Sequence, residues 1–113
     1  MCEGLANVAA RQVAQDDPGL TTASVDRVLI VDTWHHLPSR VAYGRRLAEA
    51  LRSGGSVVVV DFTLESELGP PRSARLSAEQ VVAELASAGM DARIVPEDLP
   101  EQYVVVATRP PVR

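Results

Sequence analysis

The chain has 113 residues, of which 46% are hydrophobic and 23% are charged, and its mean hydropathy is +0.03. These values are typical of a single globular domain and exclude a second independent core. No apolar run approaches the roughly 18 residues of a membrane span, and residues 1–10 lack the basic flank and apolar stretch of a signal peptide. We therefore expect a cytoplasmic protein.

The charged and reactive residues exclude several functions. The chain has eleven basic and fifteen acidic residues, and its net charge is -4. The basic residues are scattered, so the sequence does not predict nucleic-acid binding. All of them are arginine, which excludes Schiff-base chemistry. Cys2 is the single cysteine, so no internal disulfide and no cysteine-based zinc site can form.

The first regular elements are a strand and a helix. Residues 26–32 are a short apolar run rich in branched residues and closed by an acid, which predicts a strand buried on both faces. Pro38 suits the first position of the following helix. Gly54 and Gly55 are expected to end that helix with a left-handed cap.

The second half of the chain predicts a mixed sheet. Residues 56–62 form a second apolar strand, and the strand, helix, strand order favours parallel pairing. Ser77 and Gln80 make a capping box for a helix over 78–88 that Gly89 closes. Strands over 90–95 and 102–108 are joined by a connection too short for a parallel crossover, which predicts an antiparallel hairpin. A further short strand is expected over 7–14. The fold class is α/β.

Polar side chains follow both parallel strands. The first strand leads into Asp32, Thr33, Trp34, His35 and His36, and the second ends in Asp61 and Phe62. Ligands bind beyond the carboxyl ends of such strands, so we expect these residues to meet on one rim of the sheet. The alternative is that the two acids only cap the turns that follow them.

The two adjacent histidines are the most reactive pair, because an imidazole can accept and donate protons near neutral pH. His35 and His36 should point to opposite sides, one packed beneath the helix and the other facing the rim. No third cysteine or histidine is placed to complete a metal site. Ser39 has no nucleophile-elbow motif around it, and neither a P-loop nor a dinucleotide-binding glycine motif is present.

Residues 25–108 resemble the C-terminal half of a class I S-adenosylmethionine-dependent methyltransferase. Segment 24–36 is similar to the fourth strand and its active-site loop, and segment 47–61 to the next helix, the Gly-Gly pair and the fifth strand. Segment 76–89 resembles the helix that follows, and the closing hairpin matches the antiparallel last strand. The segments 3–8 and 16–18 look like the region around the third strand.

The resemblance implies a partial Rossmann-like sheet whose cofactor is S-adenosylmethionine. The first two strands of the family and its glycine-rich cofactor loop have no counterpart here. The residues that the resemblance assigns to the cofactor are Asp16, Asp17, Asp32 and Thr33, those assigned to the acceptor are Trp34, Asp61 and Phe62, and the catalytic candidates are His35 and His36.

Two functions follow from the resemblance. The chain contributes the acceptor side of a methyltransferase site for a small molecule, or it is a catalytically inactive interaction or assembly module. In the resembled fold the strand 26–32 lies between the fifth strand and the first, so one of its edges is open here. An unprotected apolar edge recruits another strand. Either the segment 7–14 of the same chain folds over and pairs there, or another chain does; because the strand character of 7–14 is weak, we expect a homodimer or a complementary chain.

Overall fold

The computed structural model describes residues 17–37, 39–64, 75–96 and 101–110. Its elements are β1 (Val25–Val31), a 3-10 turn (Trp34–His36), α1 (Arg40–Ala50), β2 (Leu51–Phe62), α2 (Ala78–Ser87), β3 (Asp91–Val95) and β4 (Gln102–Thr108). The predicted order of strands and helices is confirmed. Pro38 and the strand expected over 7–14 lie outside the described residues.

The described strands form one sheet in the order β1-β2-β4-β3. β1 pairs in parallel with β2, whereas β2 and β3 both pair antiparallel with β4. The mixed α/β sheet and the closing hairpin are thus as predicted. Because β1 and β2 are parallel, they end at the same edge of the sheet.

Both helices pack on one face of the sheet. Val57 and Val59 of β2 lie in the core with Val105 of β4, and Leu47 of α1 and Leu85 of α2 cover them. These strand residues alternate with others that point to the opposite face, as the two-residue period of a strand requires. The core is therefore a single layer between two helices and one sheet face.

The prediction that the first strand is buried on both faces is wrong. Val28 and Ile30 pack against the core, but Leu29 is 67% exposed and Val31 46% exposed. Among the described residues β1 pairs only with β2, so it is an edge of the sheet. A continuously apolar run carries no two-residue alternation, and the sequence therefore could not show which side chains point away from the core.

The glycine pair has a different role from the predicted helix cap. α1 ends at Ala50, where Leu51 is already extended and buried. Ser24 N–H donates to the carbonyl of Ala50, satisfying an acceptor at the end of α1. Gly54 has a positive φ of 80° and lies within a bulge of β2. A Cβ at Gly55 would lie 2.8 Å from the backbone oxygen of Asp26, so this close approach requires glycine.

The start of α2 is as predicted. The Ser77 hydroxyl oxygen accepts the backbone N–H of Gln80 at 3.1 Å, which satisfies one of the free donors of the first turn. Ser39 occupies the same position before α1, but its side chain makes no capping bond. None of the helices in the described part of the chain is long and apolar enough to cross a membrane.

We predict that Ser77→Ala lowers the free energy of unfolding by about 1 kcal/mol, the usual cost of losing an N-cap bond. Ser39→Ala is the matched control and should cost less than half as much, because no bond is lost. Urea unfolding followed by circular dichroism measures both changes. Equal losses in the two variants would contradict the assigned cap.

Candidate functional site

The carboxyl rim is the edge of the sheet where the parallel strands end, with Asp32 after β1 and Asp61 and Phe62 at the end of β2. Asp32 N–H donates to the carbonyl of Val60 at 2.7 Å and holds the two strand ends together. Gln102 is paired with Phe62 across the β2–β4 ladder, so the start of β4 reaches the same rim.

Asp32 turns the chain away from β1 in a strained conformation. Its φ of 54° lies in the left-handed region, which few residues other than glycine adopt, although aspartate tolerates it better than most. One carboxylate oxygen accepts from Gln102 Nε2 at 2.7 Å, and the next residue, Thr33, donates its hydroxyl to the carbonyl of Val31. The side chains of the turn thus stabilise its backbone.

His35 and Asp61 form a buried pair beneath the turn. His35 Nδ1 lies 2.7 Å from Asp61 Oδ2, and the side chains are only 2% and 3% exposed. Asp61 Oδ1 accepts the backbone N–H of Phe62 at 2.8 Å. An ionised carboxylate only accepts, so His35 Nδ1 carries the proton of this bond. Removing the imidazole would leave the buried carboxylate with the Phe62 N–H as its remaining partner among the described residues, which is strongly destabilising.

The other ring nitrogen of His35 is unusual. Nε2 is buried and has no hydrogen-bond partner among the described residues. A buried polar atom of this kind costs roughly 1–3 kcal/mol, so native structures contain few of them. The buried Nε2 is therefore an unsatisfied polar atom that calls for an explanation.

His36 is exposed, whereas the side chain of His35 is buried. The two imidazole centroids lie 4.0 Å apart with an interplanar angle of 43°, so the ring of His36 rests on that of His35. One histidine is buried and the other exposed, as expected, but the prediction that their side chains point to opposite sides is wrong, because Trp34–His36 is a 3-10 turn rather than extended chain and brings the two rings together. His36 is the imidazole that solvent and small molecules can reach.

Trp34 does not lie on the rim, where the sequence placed it. Its side chain is fully buried in the core. The indole Nε1 donates to Glu84 of α2 at 3.0 Å, and Arg40 Nε donates to both carboxylate oxygens of the same Glu84. Tyr43 packs edge-on against the indole at 6.5 Å. Arg40 turns inward because a largely buried carboxylate pairs with it.

An open depression adjoins the end of β2. We call it the rim depression; it has a volume of about 270 Å³ and is lined by Thr63, Leu64, Ser77, Ala78, Glu79 and Tyr103. Tyr103 lies opposite Asp61 in the β2–β4 ladder, and its hydroxyl donates to the carbonyl of Leu76 at 2.9 Å. Burial, and then the charge of Asp61, raise the pKa of Tyr103 well above its ordinary value.

The described residues assigned to the cofactor already form hydrogen bonds or ion pairs with other residues of the chain. Asp17 accepts the backbone N–H of Gly19 at 2.8 Å and pairs with Arg46 of α1 at 3.5 Å. Asp32 accepts from a side chain and Thr33 donates to a carbonyl, as described above, and Asp16 lies outside the described residues. The described residues do not by themselves form a cradle that fits S-adenosylmethionine. They also contain no group of three or more side chains that could hold a metal ion.

Sequence reasoning missed three residues of this region. Glu84 holds the 3-10 turn by accepting a hydrogen bond from Trp34, Gln102 donates a hydrogen bond to Asp32, and Tyr103 lines the rim depression. The signal for the last two was available, because an antiparallel strand beside β2 must begin at the rim where β2 ends. No local pattern marked Glu84, whose role depends on how the helices pack.

The comparisons with known proteins give the fold of the chain. No protein-family model matches the sequence. A SAM dependent methyltransferase from Aquifex aeolicus superposes with a TM-score of 0.85 at 23% identity, over 94% of this chain and 57% of that one. A SAM-dependent methyltransferase from Thermotoga maritima gives a TM-score of 0.67 at 18% identity, over 86% and 62%.

A third similar structure is a complex between a methyltransferase activator of Haloferax volcanii and a proposed methyltransferase. It gives a TM-score of 0.68 at 14% identity, over 85% of this chain and 59% of that one. The fold is therefore that of a partial class I methyltransferase domain, as the resemblance implied. The chain spans less than two thirds of the length of each of these structures.

The raised pKa of Tyr103 predicts a loss of stability in alkali. Because the folded protein holds this proton more tightly than the unfolded chain, the contribution is complete below the ordinary pKa of 10.0 and is lost as pH rises above it. At neutral pH, Tyr103→Phe should lower the free energy of unfolding by about 1 kcal/mol, because the tyrosine hydrogen bond is lost. Between neutral and alkaline pH, however, the free energy of unfolding should fall less in this variant than in the unmodified chain.

Tyr43→Phe is the control, since the pKa of Tyr43 is also raised, by burial and by Asp17, but Tyr103 remains in that variant. Urea unfolding at a series of pH values measures the slopes. An undiminished alkaline loss in Tyr103→Phe would contradict the assignment.

Proposed function

We propose that the chain contributes the acceptor side of an S-adenosylmethionine-dependent methyltransferase that acts on a small molecule. The observation that carries the proposal is the exposed His36 imidazole, held on the buried His35–Asp61 pair at the carboxyl rim of a methyltransferase fold. The rim depression, which adjoins the end of β2 and is lined by Thr63 and Tyr103 among others, is the space that we propose for an acceptor.

The chemistry asked of these residues is modest. Methyl transfer depends largely on holding the reacting atoms in line, and a base is needed only when the acceptor must lose a proton. In this proposal His36 accepts that proton, and Phe62 and the rim depression contact the acceptor. Trp34 has no part in acceptor binding, because it is buried and bonded to Glu84.

The cofactor supplies an activated methyl group on a sulfonium sulfur. Asp32 and Thr33 lie at the rim beside its proposed position, and Asp17 lies against α1. Because these residues do not form a cofactor site alone, we propose that a complementary polypeptide or a further part of a longer protein provides the rest. The cytoplasm remains the proposed location.

The alternative is a catalytically inactive interaction or assembly module. The observation in its favour is that the carboxylates of Asp17 and Asp32 already have partners within the chain. An intact catalytic half would be expected to keep such groups free for a ligand. Cofactor binding after completion of the domain separates the two functions.

We predict that the isolated chain does not bind S-adenosylhomocysteine with micromolar affinity. Each charge-assisted hydrogen bond that is missing costs roughly 1.5–3 kcal/mol, and the described residues supply few of them. Isothermal titration calorimetry measures the affinity. Micromolar binding would show that this chain has its own complete pocket.

The positive arm of this experiment uses a chimera in which the chain replaces the matching segment of the Aquifex aeolicus methyltransferase. The proposed function predicts that the chimera binds S-adenosylhomocysteine more tightly than the chain alone, by at least about tenfold, the effect of one good hydrogen bond. A folded chimera with no gain in affinity would favour the inactive module.

In an assembled enzyme that methylates an acceptor, we predict that His36→Ala lowers turnover by about a hundredfold, the usual contribution of a general base. Stability should change little, because the ring is exposed. Steady-state rates and urea unfolding are compared, with Arg45→Ala, an exposed residue of α1, as the control. An unchanged rate in folded His36→Ala would remove the proposed role.

We also propose that two chains join along β1 as a homodimer when no complementary chain is present. Leu29 is exposed, and no proline or lysine protects this edge. Leu29→Glu should convert the dimer to a monomer in sedimentation equilibrium. Ile94→Glu on β3, which also replaces an exposed apolar residue on an edge strand, should leave it intact. A monomeric unmodified chain at tens of micromolar, a range in which weak dimers form, would contradict the dimer.

A further inference from the structure

The two histidines have unequal surroundings that bear on their roles. The carboxylate of Asp61 is fixed on both oxygens, by Phe62 N–H and by His35 Nδ1. The second nitrogen of His35 is buried and unpartnered among the described residues, and the ring of His36 lies 4.0 Å from that of His35. From the sheet outward, the carboxylate of Asp61 is therefore followed by the buried imidazole of His35 and then by the exposed imidazole of His36.

We propose that Asp61 and His35 are positioning residues that hold the imidazole of His36 at the carboxyl rim, so that His36 alone meets the acceptor. This inference rests on the proposed function and assigns different roles to residues that the sequence treated together. It moves Asp61 from acceptor binding to support of the catalytic group.

Burial excludes direct contact between His35 and an acceptor in this conformation. Its side chain is 2% exposed, Nδ1 is held by Asp61, and Nε2 is closed off from solvent. Asp61 is equally inaccessible at 3% exposure. A residue that cannot touch the substrate can still act by orienting one that does.

The backbone of the turn is fixed independently of this pair. Trp34 binds Glu84 of α2, and His36 N–H donates to the carbonyl of Thr33 at 2.8 Å. These bonds locate the Cα atom of His36 but do not orient its side chain. The contact with the His35 ring provides that orientation, and the bond to Asp61 fixes the His35 ring in turn.

Asp61→Asn tests the pair through its hydrogen-bond donors. The introduced amide must offer its oxygen to Phe62 N–H, so its NH₂ group faces His35 Nδ1, where a second donor already lies. His35 can accept from this donor by moving its own proton from Nδ1 to the buried Nε2. Asp61→Asn should therefore shift the His35 proton to Nε2 with the ring still buried, whereas Asp61→Ala, which offers neither donor nor acceptor, should free the ring.

Diethyl pyrocarbonate measures the accessibility of the histidine rings, because it modifies accessible imidazoles and the chain has only two. Peptide mass spectrometry of the unmodified chain should show rapid modification of His36 and protection of His35. In Asp61→Ala, where His35 loses its hydrogen-bond partner, His35 should react at least about tenfold faster. Glu84→Gln is the matched control: it weakens another carboxylate anchor of the same turn and should leave His35 protected.

His35→Asn separates positioning from stability. An asparagine amide can still donate to Asp61, but it provides no ring beneath His36. In an assembled active enzyme we expect kcat to fall about tenfold with KM unchanged, while the thermal midpoint stays near that of the unmodified chain. Unchanged kcat in folded His35→Asn would overturn the proposal, as would equal reactivity of both histidines in the unmodified chain.

The failures of the two proposals are distinguishable. If no assembly of the chain transfers a methyl group but the modification pattern holds, the proposed function is lost and the support of His36 by the buried pair stands. If transfer occurs and His35→Asn is indistinguishable from the unmodified chain, the function stands and the positioning role is lost.

Discussion

The hydrogen bond between Asp61 and His35 is the constraint on which the placement of the two imidazoles at the carboxyl rim depends. It joins the end of β2 to the turn after β1, at the point where two parallel strands deliver their polar residues. A buried carboxylate requires compensation, and here an imidazole and one backbone N–H provide it. The exposed His36 ring then rests on a fixed surface rather than on a mobile side chain.

The same sheet is incomplete on its other side. β1 is an edge among the described residues and exposes Leu29, and the acids expected beside a cofactor are bonded within the chain. The neighbouring structures are longer, and this chain spans 57% of the Aquifex aeolicus protein. A buried His35–Asp61 pair at the rim and an open edge on β1 are the two features on which the proposal of a half-site completed by another polypeptide segment rests.

The fold was largely predictable, because each main element has a local signal in the sequence: branched apolar runs indicate the strands, a capping serine the start of α2, and a short connection the closing hairpin. The sequence also placed His35, His36 and Asp61 near one another, since parallel strands end together. It could not place Trp34, because burial between α1 and α2 depends on the distant Glu84. It misread Gly54, because the left-handed conformation that suits a helix cap equally suits a bulge.

The protonation of the two imidazoles tests the account most directly. Long-range ¹H–¹⁵N correlation spectra of the unmodified chain at neutral pH identify which ring nitrogen of each histidine carries the proton. We expect His35 to carry a proton on Nδ1, donated to Asp61, and this proton to exchange slowly with water because the bond is buried. A neutral His35 protonated on Nε2 alone, or a rapidly exchanging Nδ1 proton, would contradict it.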